Sequence, residues 1–455
     1  MTALMDDDCP PPLPDAAYGS DWRDATAAPQ PAPAARTVVV RDAQGTSTLA
    51  GPGHAPRPLV ENGSGRVVWC VENACLMLEW HSEWRGALAY DEFAGLTMLM
   101  RPIPGTTVPV SRFKPRCLAD TDITATVRWF NRNGYPDAKK QATSDALYAV
   151  AAQTIISPVR HYLESLIWDG TARVASWLND YCGADETELT AKIGKAWLVS
   201  AVARAFEPGC KADCALVLEG RQGAGKSSVF KVLASEAWFS DGLPDMHSKD
   251  ASGGLLGKWI IELPELAAMR RSDVETIKSF MSRTSEKYRP PYGRCEVIQP
   301  RRCVFGGTTN RSDYLADDTG NRRFWPVPVG RIELDQLQRD RDQIWAEAVM
   351  LYLQGERWWL DAEGEIDAAA LVKTRVSDDP WEATVLNAVV GKREVSSSEI
   401  FENMGVVEKD RTRPDALRIT GVLNRAGWTR EGRFSGGASK GLARYVPPQT
   451  PLGVW

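Results

Sequence analysis

Apolar and polar positions follow three different regimes along this chain. Residues 1–62 carry no sustained period, because runs of proline, alanine, glycine and aspartate interrupt it; ten of the 29 prolines lie there. Such a stretch predicts a disordered arm. From residue 63 onward periods appear. Residues 66–70 and 87–93 read as strand or turn, and 73–79 mix polar and apolar residues at helical spacing. Residues 122–131 and 139–156 read as helices, the second by its alanine content. Ser157 followed by Pro158 opens another helix, Asp169-Gly170 stops it, and residues 171–181 restart one. The pattern predicts a mainly helical accessory domain over 63–186, with its aromatic residues in its core.

Over residues 187–365 continuous apolar runs alternate with helical patterns. Cys214-Ala-Leu-Val-Leu218 reads as a buried strand. Lys258-Trp-Ile-Ile-Glu262 and Arg302-Cys-Val-Phe-Gly-Gly-Thr-Thr309 read as two more, each ending in polar residues. Residues 335–353 form a strong helical pattern that Gly355 ends. After a break, 378–448 form a separate, smaller unit. Helices are predicted at 381–390, 396–404 and 414–426, then strands at 428–434 and 442–446 flank a glycine-rich tip. Three helices and a hairpin predict a winged helix.

Composition narrows the class. The chain has 455 residues, 43% hydrophobic and 25% charged, which is ordinary for a soluble globular protein of two to four domains. No apolar run approaches the ~18 residues of a membrane span, and the acidic N-terminus has no signal-peptide pattern. The nine cysteines are scattered. The close pairs Cys70/Cys75 and Cys210/Cys214 have no histidine cluster beside them, so reduced thiols in a cytoplasmic protein are expected, not zinc. Net charge is −5 and the pI is near 5.7, so clusters of positive charge stand out by their position.

The densest chemistry lies at Gly220-Arg-Gln-Gly223-Ala224-Gly225-Lys226-Ser227, which fills every fixed position of G-x-x-x-x-G-K-[ST] between a strand and a helix. Glycines let the backbone curl so that N–H groups point at phosphates. Lys226 adds a point charge, and the Ser227 hydroxyl is placed to ligate Mg²⁺. The helix that begins with Ser227 and Ser228 offers its positive end. ATP with Mg²⁺ is therefore the expected substrate and cofactor.

Downstream residues fit the same chemistry. Glu262, at the end of an apolar strand expected beside the phosphate-loop strand, is the candidate metal or water-orienting acid. Glu265, beyond Pro264, is the second candidate, for water activation. Asn310 at a strand tip is placed to hold the attacking water or to touch the γ-phosphate. Arg322 and Arg323 are candidates to stabilise transition-state charge, in the same subunit or the next.

The order phosphate loop, acidic strand, asparagine strand, arginines resembles the superfamily-3 helicases, a branch of the AAA+ ATPases. In detail Trp168-Asp-Gly-Thr-Ala-Arg173, Glu262-Leu-Pro-Glu265, Tyr288-Arg-Pro-Pro-Tyr-Gly-Arg294, Gly307-Thr-Thr-Asn310, Gly320-Asn-Arg-Arg-Phe-Trp325 and Arg341-Asp-Gln-Ile-Trp-Ala-Glu-Ala348 look like the virulence-associated protein E family of phage and mobile-island replication proteins. That resemblance implies an α/β AAA+ core of superfamily-3 type over 187–365, working as a DNA-translocating hexamer in a bacterial host. Larger relatives carry an N-terminal primase, an activity not expected of the proline-rich arm.

Charge agrees with a DNA partner. Residues 278–302 hold seven basic residues against two acidic ones, with Tyr288 and Tyr292 among them. The resemblance places a channel hairpin in this stretch, so Lys278, Lys287, Arg289 and Arg294 are the candidate DNA contacts. Residues 408–444 hold nine basic residues against four acidic ones, as a DNA-binding winged helix would. The leading expectation is a helicase or replication initiator. Its rivals are an AAA+ switch that loads or remodels replication proteins, a small-molecule kinase, and a DNA-binding module with residual ATPase activity.

Overall fold

Apolar runs without alternation become strands buried on both faces. In the computed structural model of the chain, Ala215–Glu219, Ile260–Leu263 and Val304–Thr309 are buried at every position. With Phe324–Pro328 and Phe239–Ser240 they form a five-stranded sheet. Its order is Phe324–Pro328, Ala215–Glu219, Val304–Thr309, Ile260–Leu263, Phe239–Ser240, and neighbours run parallel throughout. The structure describes residues 38–41, 47–51, 54–243, 253–266, 271–289, 295–311, 314, 321–375, 381–436 and 439–448. It divides into two units, Met1–Arg375 and Val376–Trp455.

The sheet order corrects one expectation. The strand of Glu262 does not adjoin the phosphate-loop strand, because Val304–Thr309 stands between them. Gly306 and Gly307 make that arrangement possible. A β-carbon on Gly306 would lie 2.5 Å from the Phe230 ring, and one on Gly307 would lie 2.8 Å from Leu266. The helix Lys226–Ala234, which carries Phe230, therefore packs against bare backbone.

Helix Glu188–Phe206 is buried around its whole circumference in its second half, as a helix that is apolar on all sides must be. Trp177, Trp197, Trp238, Trp259 and Trp345 are fully buried in this core. Trp197, Trp259 and Trp345 donate indole hydrogen bonds to the carbonyls of Phe305, Ala201 and Leu233 at 2.8, 2.9 and 3.0 Å. Helices Pro158–Glu164 and Trp177–Cys182, expected in the accessory domain, belong to this core instead. Their Tyr162, Leu163, Trp177 and Tyr181 pack in the same cluster as Trp197 and Leu216.

The preceding segment has a core of its own, built around Leu76, Trp84, Phe130 and Leu147. Helices Val71–Trp80, Asp120–Arg132 and Lys140–Ala151 supply much of it. A four-stranded sheet accompanies them, in the order Arg116–Cys117, Leu96–Leu99, Leu88–Asp91, Ile155–Ile156, so this part is mixed rather than helical alone. Further upstream, Val38–Arg41, Ser47–Gly51 and His54–Pro58 form an antiparallel sheet inside the arm expected to be disordered. The β-branched run at Val38-Val39-Val40 suits a strand.

The second unit contains helices Glu382–Val389, Ser397–Asn403 and Arg413–Arg425, then the hairpin Thr429–Arg433/Ala443–Val446. Val395 bridges to Tyr445. Val385, Ile400, Ile419, Val422 and Trp428 form its core.

Candidate functional site

The phosphate loop leaves the end of Ala215–Glu219 and closes on the helix Lys226–Ala234. Gly223 and Gly225 hold φ of 77° and 88°, the left-handed region in which an L side chain is strained. Lys226 Nζ donates to the carbonyls of Gly220 and Arg221, each at 2.8 Å, which arches the loop around the ammonium. Burial pushes the Lys226 pKa down, and the nearby Glu262 carboxylate opposes that shift. Gly220 N–H donates to Thr309 O at 3.1 Å, tying the loop to the neighbouring strand tip.

Glu262 is the hub of the cleft. It is 2% exposed, and its Oε1 accepts from Ser227 Oγ and from Thr308 Oγ1, both at 2.6 Å. Thr308 lies on the intervening strand, so that strand links loop and acid rather than separating them. Sequence reading missed Thr308; the Thr-Thr pair before Asn310 was its signal. Glu265 has φ 46°, a conformation that costs a non-glycine residue roughly 1–3 kcal/mol and recurs at functional sites. The loop from Gln222 onward, Ser228, Glu262, Glu265, Thr309 and Asn310 line one cleft of about 460 Å³.

The residues suit ATP and Mg²⁺. The arched, glycine-built loop leaves room for phosphates, and a hydroxyl beside a buried carboxylate is a hard oxygen donor set of the kind Mg²⁺ prefers. Another pairing that sequence reading missed is Glu219, the residue before the loop. It is 7% exposed, and Arg375 grips its carboxylate with Nη2 at 2.9 Å and Nε at 3.1 Å.

Arg322 and Arg323 are not in this cleft. They sit on a short turn, Asn321–Arg323, ahead of Phe324–Pro328, and Phe324 pairs with Ala215 at the opposite end of the loop strand. A strand of this length, about 16 Å, separates them from the phosphate loop of their own chain. Arg323 Nε lies 3.5 Å from Asp213.

The basic stretch folds partly as a hairpin, Ser285–Tyr288 paired with Val297–Pro300. Much of its charge is used internally. Lys278, a candidate DNA contact, is 3% exposed and pairs with Glu275 at 2.9 Å, so its place on the buried face of its helix removes it from that role. Arg301 is buried against Glu286, and Arg302 pairs with Glu92 at 2.9 Å. Lys287 faces outward on the hairpin, with Glu296 at 2.7 Å, and Arg289 follows it, exposed. Tyr292 and Arg294 lie outside the described residues. In the second unit Arg411 contacts Glu402, Arg444 contacts Glu394 and Glu431, and Arg418 lies over the Trp381 ring.

Among the described residues no helix is long and apolar enough to cross a membrane, and no cluster of His, Cys, Asp and Glu suits a metal.

Residues 163–377 match the virulence-associated protein E-like domain family. None of the curated proteins compared with the chain matches it. Among solved structures, an apo C-terminal region of NrS-1 is similar at 11% identity and a TM-score of 0.43, over 79% of this chain and 95% of that one. A second form of that region gives 14% and 0.37, over 62% and 76%. A Thermotoga maritima RuvB mutant gives 12% and 0.22, over 58% and 93%. The residues that match the virulence-associated protein E-like domain include the phosphate loop, Glu262, Asn310 and both arginines.

Proposed function

We propose that this chain is an ATP-driven DNA helicase or replication initiator of phage or mobile-element type, working as a ring of identical AAA+ subunits. The observation that carries the ATPase reading is the Glu262 carboxylate held jointly by Ser227 and Thr308 beside the phosphate loop. Lys226 and the loop N–H groups would hold the phosphates, and Ser227 with Glu262 would hold Mg²⁺. When bound, that ion supplies positive charge against the β- and γ-phosphates. Asn310 orients a water whose oxygen attacks the γ-phosphorus, and Glu265 takes its proton. The bond from the γ-phosphorus to the β–γ bridging oxygen breaks, leaving ADP and phosphate.

The position of Arg322 and Arg323 supports a ring. An arginine a strand's length from its own phosphate cleft can reach such a cleft only on another copy. Lys287 on the hairpin and Arg289 just beyond its first strand are the proposed DNA contacts, and the second unit, three helices and a basic hairpin, supports a winged-helix reading. The second reading, an AAA+ switch that remodels replication proteins without unwinding, is favoured by one observation: Lys278, Arg301 and Arg302 are engaged with Glu275, Glu286 and Glu92. Strand separation on a forked duplex decides between them. Unwinding by the wild type and none by Lys226→Ala supports the helicase; hydrolysis stimulated by DNA without unwinding supports the switch.

A further inference from the structure

A second cavity, of about 590 Å³, opens at the other end of the parallel sheet, and none of its lining residues belongs to the phosphate cleft. Its floor is apolar, formed by the buried Trp325, Leu360 and Ala368. Two adjacent tryptophans stand at its wall. Trp358 is fixed by donating its indole N–H to Lys211 O at 2.9 Å. Trp359 stands edge-on to Trp358, with ring centroids 5.1 Å apart, and is 50% exposed. Leaving half an indole in water forgoes much of the burial such a ring ordinarily gains.

The charges around the cavity divide unevenly. Arg323 is matched by Asp213. Lys211 and Arg322 are exposed at the rim, and neither forms an ion pair among the described residues. Glu365 offers a further carboxylate to the lining. An aromatic wall, an apolar floor and two cations at the mouth, with the exposed Glu365 carboxylate beside them, together suit a flat heteroaromatic ring carrying a phosphate.

We propose that this cavity is a second nucleotide-binding site, separate from the phosphate cleft. The base stacks on Trp359, and its phosphate meets Arg322 and Lys211. The same chemistry is offered by a free nucleoside phosphate and by one nucleotide of a single strand, and the test separates these sources.

Both arms use the full chain carrying Lys226→Ala, so that no subunit's phosphate cleft, its own or a neighbour's, supplies the bound nucleotide. In the first arm, equilibrium dialysis measures ATP. In the second, an oligothymidylate containing 5-iodouracil is crosslinked by light and the attached peptides are mapped. The expected result is either residual ATP binding that Trp359→Leu weakens about tenfold or more, or a crosslink on Trp358 or Trp359 that Trp359→Leu diminishes while crosslinks elsewhere persist. Lys211→Glu should act in the same direction, and circular dichroism should show both variants folded. No ATP binding to the Lys226→Ala protein together with no crosslink at either tryptophan overturns the proposal. It is equally overturned if folded Trp359→Leu and Lys211→Glu proteins leave both signals unchanged.

Discussion

Ser227 and Glu262, on different elements of the core, share a 2.6 Å hydrogen bond from the hydroxyl to the carboxylate, and Thr308 donates to the same oxygen from the strand between them. The two acids differ in setting, as the roles proposed for them require. Glu262 is buried and held by both hydroxyls, whereas Glu265 stands in the cleft with a left-handed backbone. Glu265→Gln should therefore lower kcat for ATP about 10²–10⁴-fold while leaving nucleotide affinity near wild type. Glu262→Gln should lower kcat and also raise the Mg²⁺ concentration needed for half-maximal rate. Steady-state hydrolysis across a Mg²⁺ series reads both effects, and a Glu265→Gln enzyme of full activity would remove that residue from the mechanism.

The distance between Arg322/Arg323 and their own phosphate loop makes a prediction about mixtures. Lys226→Ala and Arg323→Ala proteins, each inactive alone, should recover part of the ATPase rate when mixed. Some neighbouring copies would then pair an intact loop with an intact arginine; Arg322→Ala is tested in parallel. If neither mixture exceeds the sum of its components, while native mass spectrometry shows mixed rings, the arginines do not act across subunits.

Gly306 lies against the Phe230 ring so closely that a methyl group has no room. Gly306→Ala should force apart the phosphate-loop helix and the central strand. The expected loss is about 1–3 kcal/mol or more, seen as a lower Tm, with reduced ATP affinity because that helix carries Lys226 and Ser227. An unchanged melting curve would contradict this packing.

Asp91, 2% exposed, accepts from the N–H groups of Phe93 and Ala94 at 2.8 and 3.0 Å. Burial pushes its pKa up from 3.8 to about 6, with Arg302 opposing and Glu92 adding to the rise. An acid whose folded pKa exceeds its unfolded one binds its proton more tightly in the folded state. Its contribution is full below about pH 4 and is lost as pH rises through 6. Asp91→Asn keeps an oxygen acceptor without the charge. It should flatten the dependence of stability on pH between 4 and 7 and gain about 1–3 kcal/mol at pH 7. Urea unfolding at several pH values measures it, and parallel pH profiles for the two proteins would show that Asp91 is not the group responsible.

The strands and helices of the nucleotide core were legible because their period and their glycines are local signals. Residues 335–353 predicted the helix Leu334–Leu353 almost to the residue, and 414–426 predicted Arg413–Arg425. Strand order was not legible, since nothing local to Ile260–Leu263 records that Val304–Thr309 will come between it and the loop. The fate of charge was hidden for the same reason. Lys278, Arg301 and Arg302 look like a DNA-binding patch until Glu275, Glu286 and Glu92 are brought to them, the last from about 200 residues away in the chain. Arg375 and Glu219 pair across 156 residues of chain.

If the phosphate loop drives work on DNA, ATP hydrolysis measured with and without single-stranded DNA shows it most directly. The wild type should have a basal rate that DNA raises. The DNA-stimulated part should fall steeply with salt, and Lys226→Ala should abolish hydrolysis altogether. A rate indifferent to DNA at every salt concentration, or hydrolysis persisting in Lys226→Ala, would contradict that role for the loop.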